Sequence, residues 1–301
     1  MKNKIYVFIV ILSGVFWGSS CLFVDYLKTH TPATSVQITA IRIVFAAIVL
    51  NLWLIIKGKG FSLYKISGRS WLLCAVSGIG SVLAMGMFYY SCMVETSAAV
   101  AVILLYTAPL FVMIMSLFFF KEKMNAQKII AFIIAIVGCA LVSGIASGSK
   151  ISALGIFLGL MSGFTYSLYG IFTSLFMKEN KDTLTFTALS FFFAALGALV
   201  ISKPWEIVKF TLEVENLPLT LIMYLLLAVC TAVIPFFLYS KGIEGIKPDI
   251  ASILAFSEPL MACVFGTAVL GQKMDVFGVI GIVCVCAAIV VLNVNFKKKA
   301  E

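Results

Sequence analysis

Charge is scarce in this chain. Asp, Glu, Lys and Arg make up 12% of its 301 residues, against roughly 25% in soluble domains, while 62% are hydrophobic. So little polar material cannot cover a soluble core. That excludes a water-soluble globular protein and leaves a polytopic membrane protein. Histidine is nearly missing, with His30 the only one. There is no H-E-x-x-H and no C-x-x-C. The eight Cys are scattered, and the nearest pair, Cys284 and Cys286, points to different helix faces. Most metal-site patterns are thereby excluded, and the cysteines read as small, soft hydrophobes. No G-x-x-x-x-G-K-[ST] is present, so the chain does not hydrolyse ATP by that route. Neither a metal nor a cofactor is expected. Acids are fewer than bases, 13 against 22, for a net charge of +9. The excess does not indicate nucleic acid, because the basic residues lie in short segments between apolar runs and form no stripe.

Those apolar runs dominate the sequence. Ten are long enough for a bilayer core of about 30 Å: 5–25, 36–56, 71–91, 98–120, 127–146, 153–176, 184–202, 219–240, 249–270 and 275–295. The seventh is the weakest. One loop is long, Lys203 to Pro218, and the rest are turns. Lys2 and Lys4 precede the first run as they would in a signal peptide. The run is too long for one, nine more follow, and GSSC at 18–21 is a poor lipoprotein cleavage site. Ten spans put both termini on one side. With the termini cytoplasmic, sixteen of the 22 Lys and Arg fall inside, five fall outside, and Arg42 lies within a span. This bias predicts cytoplasmic ends. Lys297, Lys298 and Lys299 then form a basic stop that favours anionic lipid. Asp25, Glu95, Glu122 and Glu244 fall at span ends and are expected to be solvated.

The sequence also repeats. At a shift of 149, Ser13-Gly14 meets Ser162-Gly163, Tyr90-Ser91 meets Tyr239-Ser240 and Glu95 meets Glu244. At 150, Pro109-Leu110 meets Pro259-Leu260 and Lys123-Met124 meets Lys273-Met274. The expected fold is all-α: ten transmembrane helices in two five-helix repeats, residues 1–148 and 149–301. Five is odd, so the second repeat enters the membrane inverted. Such repeats are characteristic of secondary transporters that bind substrate near the midplane.

With the repeat in view, the chain resembles the EamA-type members of the drug/metabolite transporter superfamily. The resemblance covers essentially the whole chain. It rests on SGVFWGSS at 13–20, AIRIVFAA at 40–47, YTAPLFVMIMSLFFFKEKM at 106–124 and FSEPLMACVFGTAVLGQKM at 256–274. Gln272 departs from the pattern, standing where the first repeat has Glu122. The resemblance implies a transporter of the cytoplasmic membrane, often an exporter of amino acids or related metabolites, with a central pocket between the halves.

Charges inside spans cost about 2.5–3.5 kcal/mol each on insertion scales and are functional candidates by default. Arg42 and Glu258 are the two. Neither is mirrored, since their repeat partners are Phe191 and Ala108. Arg42 either serves the substrate path, snorkels outward or holds a structural ion pair. Glu258 reads as functional ahead of the alternative, a protonated acid bonded to a freed carbonyl. Counted from their helix ends, the two depths differ by about 7 Å, which long side chains can bridge. Pro109, Pro235 and Pro259 each remove a backbone donor, so they are expected to break or kink their helices beside a cavity; for Pro235 an ordinary kink suffices. Trp17, Tyr106, Tyr166 and Tyr169 are candidate cavity aromatics. Taken singly, packing or the interfacial belt explains each tyrosine equally well, whereas Trp17 lies deep in its span. Gly14 and Gly18 form a close-packing G-x-x-x-G.

The expected function is a secondary transporter, not an enzyme. It moves a small metabolite, an amino acid or related amine-bearing compound, as an exporter by alternating access. Its partners are the substrate and the bilayer, with a proton as candidate coupling ion at Glu258 and no nucleic acid. A drug or toxic-compound efflux carrier is the alternative. A channel would want charge or carbonyl rings, and an intramembrane enzyme would want paired acids or a Ser/His pair; the sequence has neither.

Overall fold

The computed structural model describes residues 2–58, 62–96, 98–122, 125–142, 152–179, 182–271 and 276–293. Gln272, Lys273, Met274, Lys123, Met124 and the terminal lysines lie outside the described residues. Within them, all regular structure is helical, as hydrocarbon demands when every backbone N–H and C=O must be satisfied inside its own segment. Eight helices are long and apolar enough to cross a membrane: α1 Lys4–His30, α2 Ser35–Lys57, α3 Gly68–Glu95, α4 Val100–Phe120, α6 Ala153–Glu179, α7 Thr183–Ile201, α8 Leu217–Ile243 and α9 Pro248–Ala268. Two shorter apolar helices are α5, Ala126–Leu141, and α10, Val276–Val291. The protein is therefore an all-α polytopic membrane protein.

At 19 residues α7, the seventh run, is the shortest of the eight. Two expectations need correcting. The long loop after Lys203 holds a helix of its own, Pro204–Leu212. It exposes Trp205, Val208 and Leu212 on one face and is tied to α2 where Gln37 Nε2 donates to Glu206 at 3.2 Å. Glu122 and Glu244 are not simply solvated, because both are in ion pairs.

Helix starts follow local chemistry. Thr34 and Gln37 form a reciprocal capping box at α2, Ser67 caps α3 and Asp182 caps α7. The helices are not uniform inside. α3 widens into a π-helical segment at Gly78–Leu83 and α8 does so at Val229–Val233, two residues before Pro235. α4 breaks at Tyr106-Thr107 and α9 at Ala255-Phe256, each just ahead of its proline.

Surface and interior are divided as lipid requires. Large apolar side chains such as Phe8, Ile56, Phe118 and Val200 face outward, while small hydroxyls such as Ser13, Ser77, Ser162, Thr173 and Thr187 are buried between helices. Extensive packings in the bundle include α3 on α6, α1 on α9, α6 on α4, α2 on α7 and α5 on α10. Glycine makes the closest of these possible. A Cβ on Gly163 would lie 2.6 Å from Thr107 Oγ1, and one on Gly14 would lie 1.9 Å from Ser257 Oγ.

The two ends of the bundle differ. Six of the seven ion pairs among the described residues lie at the end where α2 finishes and α7 begins. There Lys128 contacts the buried Asp249, and Glu122 takes Lys247 at 3.0 Å. Lys57–Asp182 and Arg69–Glu179 close the rim at 2.5 and 2.9 Å. We call this the ion-paired end.

Candidate functional site

The opposite end holds a cavity of about 260 Å³. Its walls come from α1, α2, α3 and α4, with Leu227 from α8 and Glu258 from α9. Exposed Lys28 stands toward the end of α1, at the mouth. Ser20, Ser35 and Thr39 add hydroxyls, and Met85, Met93, Tyr89 and Tyr90 form a soft, partly apolar wall. The cavity is thus built mostly from the first half of the chain, with Leu227 and Glu258 from the second, where a pocket between the halves was expected.

Glu258 reaches the cavity because its helix is broken. Pro259 has no N–H, so the helix cannot run regularly through this point. The carbonyl of Ala255 instead accepts from the Glu258 N–H at 2.9 Å, and a second helix starts at Ser257. The carboxylate therefore sits in the first turn of a half-helix, where the dipole favours negative charge. α1 holds this backbone closely. A Cβ on Gly18 would lie 2.7 Å from the Glu258 carbonyl and 2.8 Å from the Ala262 nitrogen. Ser257 Oγ donates to the Ile11 carbonyl at 3.1 Å.

The break in α4 supplies Tyr106. Its side chain lines the cavity beside Glu258 and interacts with that carboxylate, and its ring stacks on Phe256 at 5.1 Å, so the two helix breaks meet face to face. Arg42 enters from α2 and acts electrostatically on Glu258, yet within 4.0 Å it forms no ion pair among the described residues. Its Nε is buried and has no hydrogen-bond partner among them. The cavity therefore carries two cations, Lys28 and Arg42, and one acid.

Of the six candidates from sequence, Glu258, Arg42 and Tyr106 line this cavity. Trp17, Tyr166 and Tyr169 are not among its lining residues. They belong to an aromatic block between the cavity and the ion-paired end. Trp17 packs edge-on to Phe236 at 5.2 Å and to Tyr166 at 6.3 Å, and tilts against Tyr239 at 5.6 Å. Tyr169 lies 4.9 Å from Phe236, with its hydroxyl 2.9 Å from Ser240 and 3.2 Å from Thr187. Pro109 and Pro259 adjoin the two breaks, and Pro235 follows the π-helical segment of α8. The cavity residues Lys28, Met85, Tyr89 and Met93 were not singled out from sequence. Their only signal was position, since each shares a helix end with the mouth.

Two stretches of the chain, 4–144 and 153–294, each match the model of the EamA-like transporter family. The chain belongs to the EamA-like transporter family. Among its relatives are the uncharacterized transporter YxxF of Bacillus subtilis, 24% identical over 97% of this chain and 90% of that protein, and YwfM of the same organism, 24% identical over 99% and 97%. The uncharacterized inner membrane transporter YicL of Salmonella typhimurium is 24% identical over 97% and 96%. A solved crystal structure superposes with a TM-score of 0.76 at 16% identity, covering 96% of each chain, which shows the fold alone. Membership makes this EamA-like protein a membrane transporter of small molecules.

Proposed function

We propose that this EamA-like protein is a secondary transporter that exports a small amine-bearing metabolite, an amino acid foremost, by alternating access. The observation that carries the reading is Glu258: an acid on a broken helix, in a cavity that reaches one end of the bundle while aromatics and ion pairs close the other. In this reading ten spans form two inverted five-helix repeats, 1–148 and 149–301. The double family match, the paired π-helical segments, the paired breaks and the α1–α9 and α6–α4 packings support it. The charge bias puts the ion-paired end and both termini in the cytoplasm of the cell membrane, so the cavity faces outward. Export then requires the aromatic block and the ion pairs to part, with the helix breaks and π-helical segments absorbing the bend. Glu258 serves as counter-ion to the substrate amine, or carries a proton that couples its movement.

Counterflow in proteoliposomes loaded with amino acids tests this. A carrier shows trans-stimulation, and a channel does not. Glu258→Gln keeps the shape and removes the charge. It is expected to fold and insert with at least tenfold less transport. Wild-type counterflow by Glu258→Gln, with unchanged pH dependence, would remove the carboxylate from the mechanism.

A further inference from the structure

We propose that Arg42 and Glu258 form a two-pole site for a zwitterion, with the guanidinium on the substrate carboxylate, the Glu258 carboxylate on its ammonium, and an apolar side chain against Met85, Met93 and Tyr89. The inference rests on the transporter reading above and adds a required carboxylate.

Three observations carry it. The first is that two opposite charges share one cavity and, among the described residues, do not pair within 4.0 Å, although Glu258 is within electrostatic reach of Arg42. Buried donors normally have partners, and an unmade charged hydrogen bond is costly. Arg42 Nε is buried and has no hydrogen-bond partner among the described residues. A carboxylate is the acceptor whose two oxygens match the guanidinium fork. The second is size. At about 260 Å³ the cavity has room for a molecule the size of an amino acid. The third is lining. Thioether and phenol side chains adapt to apolar groups of different shape, so the wall accepts a range of side chains. Lys28 at the mouth adds positive potential that draws a carboxylate inward.

The test is ligand-induced thermal stabilisation of the purified full chain, using L-leucine, 3-methylbutylamine (leucine without its carboxylate) and 4-methylpentanoate (leucine without its amine), backed by the other proteinogenic amino acids. Binding raises Tm by mass action. Leucine or another apolar amino acid is expected to bind at least tenfold more tightly than either truncated analogue. Arg42→Gln should bind the amine and the amino acid equally, and Arg42→Lys should restore part of the preference. If the amine binds wild-type protein as well as leucine does, or Arg42→Gln discriminates like wild type, the two-pole site is wrong while the Glu258 reading stands. If 4-methylpentanoate binds as well as leucine and Glu258→Gln changes nothing, both readings fail. If no amino acid shifts Tm, the zwitterion is excluded, and counterflow with amines decides the transporter reading separately. Should Arg42→Gln not fold, the three ligands on wild-type protein still decide.

Discussion

The cavity and the aromatic block are made from matching stretches of chain and hold opposite contents. At a shift of 149, Ser20 corresponds to Tyr169, Arg42 to Phe191 and Tyr90 to Tyr239, and at 150 Glu258 corresponds to Ala108. Ser20 and Arg42, small and charged, stand at the polar cavity, whereas their counterparts Tyr169 and Phe191 are large rings that fill the space, each 4.9 Å from Phe236. Openness here is a matter of side-chain volume and charge on similar helices. No separate lid is needed to explain it.

The largest effect that tests this contrast is expected at the ion-paired end. Asp249→Ala leaves the largely buried Lys128 with Glu122, at 3.9 Å, as its one remaining acidic partner among the described residues. Removing one partner of a buried pair costs about 3–5 kcal/mol, whereas apolar replacement of both is often neutral. Asp249→Ala should therefore lower Tm sharply and expose this end to thiol labelling, and the double change Lys128→Met with Asp249→Leu should recover most of the stability. A single variant as stable as wild type would show that this end is not held by the pair.

A smaller effect is expected in the aromatic block. Tyr169→Phe removes the hydroxyl that meets Ser240 and Thr187, but those two remain 3.2 Å apart and can bond each other. The loss should be about 1 kcal/mol by denaturant titration. Tyr89→Phe on the cavity wall should stay within ~0.5 kcal/mol. Equal losses would erase the distinction between a packed and an open region.

The smallest effect concerns pH at the rim. Burial works to raise the Asp182 carboxyl, but hydrogen bonds from Lys57 and Thr185 and the Lys57 charge outweigh it, so the group lies below the ordinary carboxylate value. A lowered folded-state value gives stability that is present above the ordinary carboxylate range and lost as pH falls through the folded-state value. Lys57→Ala should therefore cost at most about 1 kcal/mol near neutral pH, and the difference should shrink toward zero in acid. A gap that grows with acid would contradict the assignment.

Much of the architecture was legible because lipid simplifies the code. Apolar runs mark helices whatever their neighbours, and a charge inside such a run stands out, which is how Glu258 and Arg42 were found. Their shared cavity needed the third dimension, as did the fate of Trp17. A deep tryptophan is equally compatible with lining a cavity and with packing against Phe236 and Tyr239, and one-dimensional spacing does not separate the two. Lys128 and Asp249 sit near helix starts, and their pairing depends on which helices are neighbours, which spacing alone does not show. The π-helical segments left no mark at all in α3, where no proline announces Gly78–Leu83.

The ion pairs crowded at one end have a statistical consequence. A transporter whose two ends were identical in content would have two degenerate conformers and would rest equally in each. Every interaction present at one end alone lifts that degeneracy, and about 1.4 kcal/mol already gives a tenfold preference. In the alternating-access reading proposed above, the Glu122, Lys128, Asp249 and Lys247 cluster acts as a bias on the resting population, and its strength sets how much substrate binding energy each cycle must commit to reversing the occupancy.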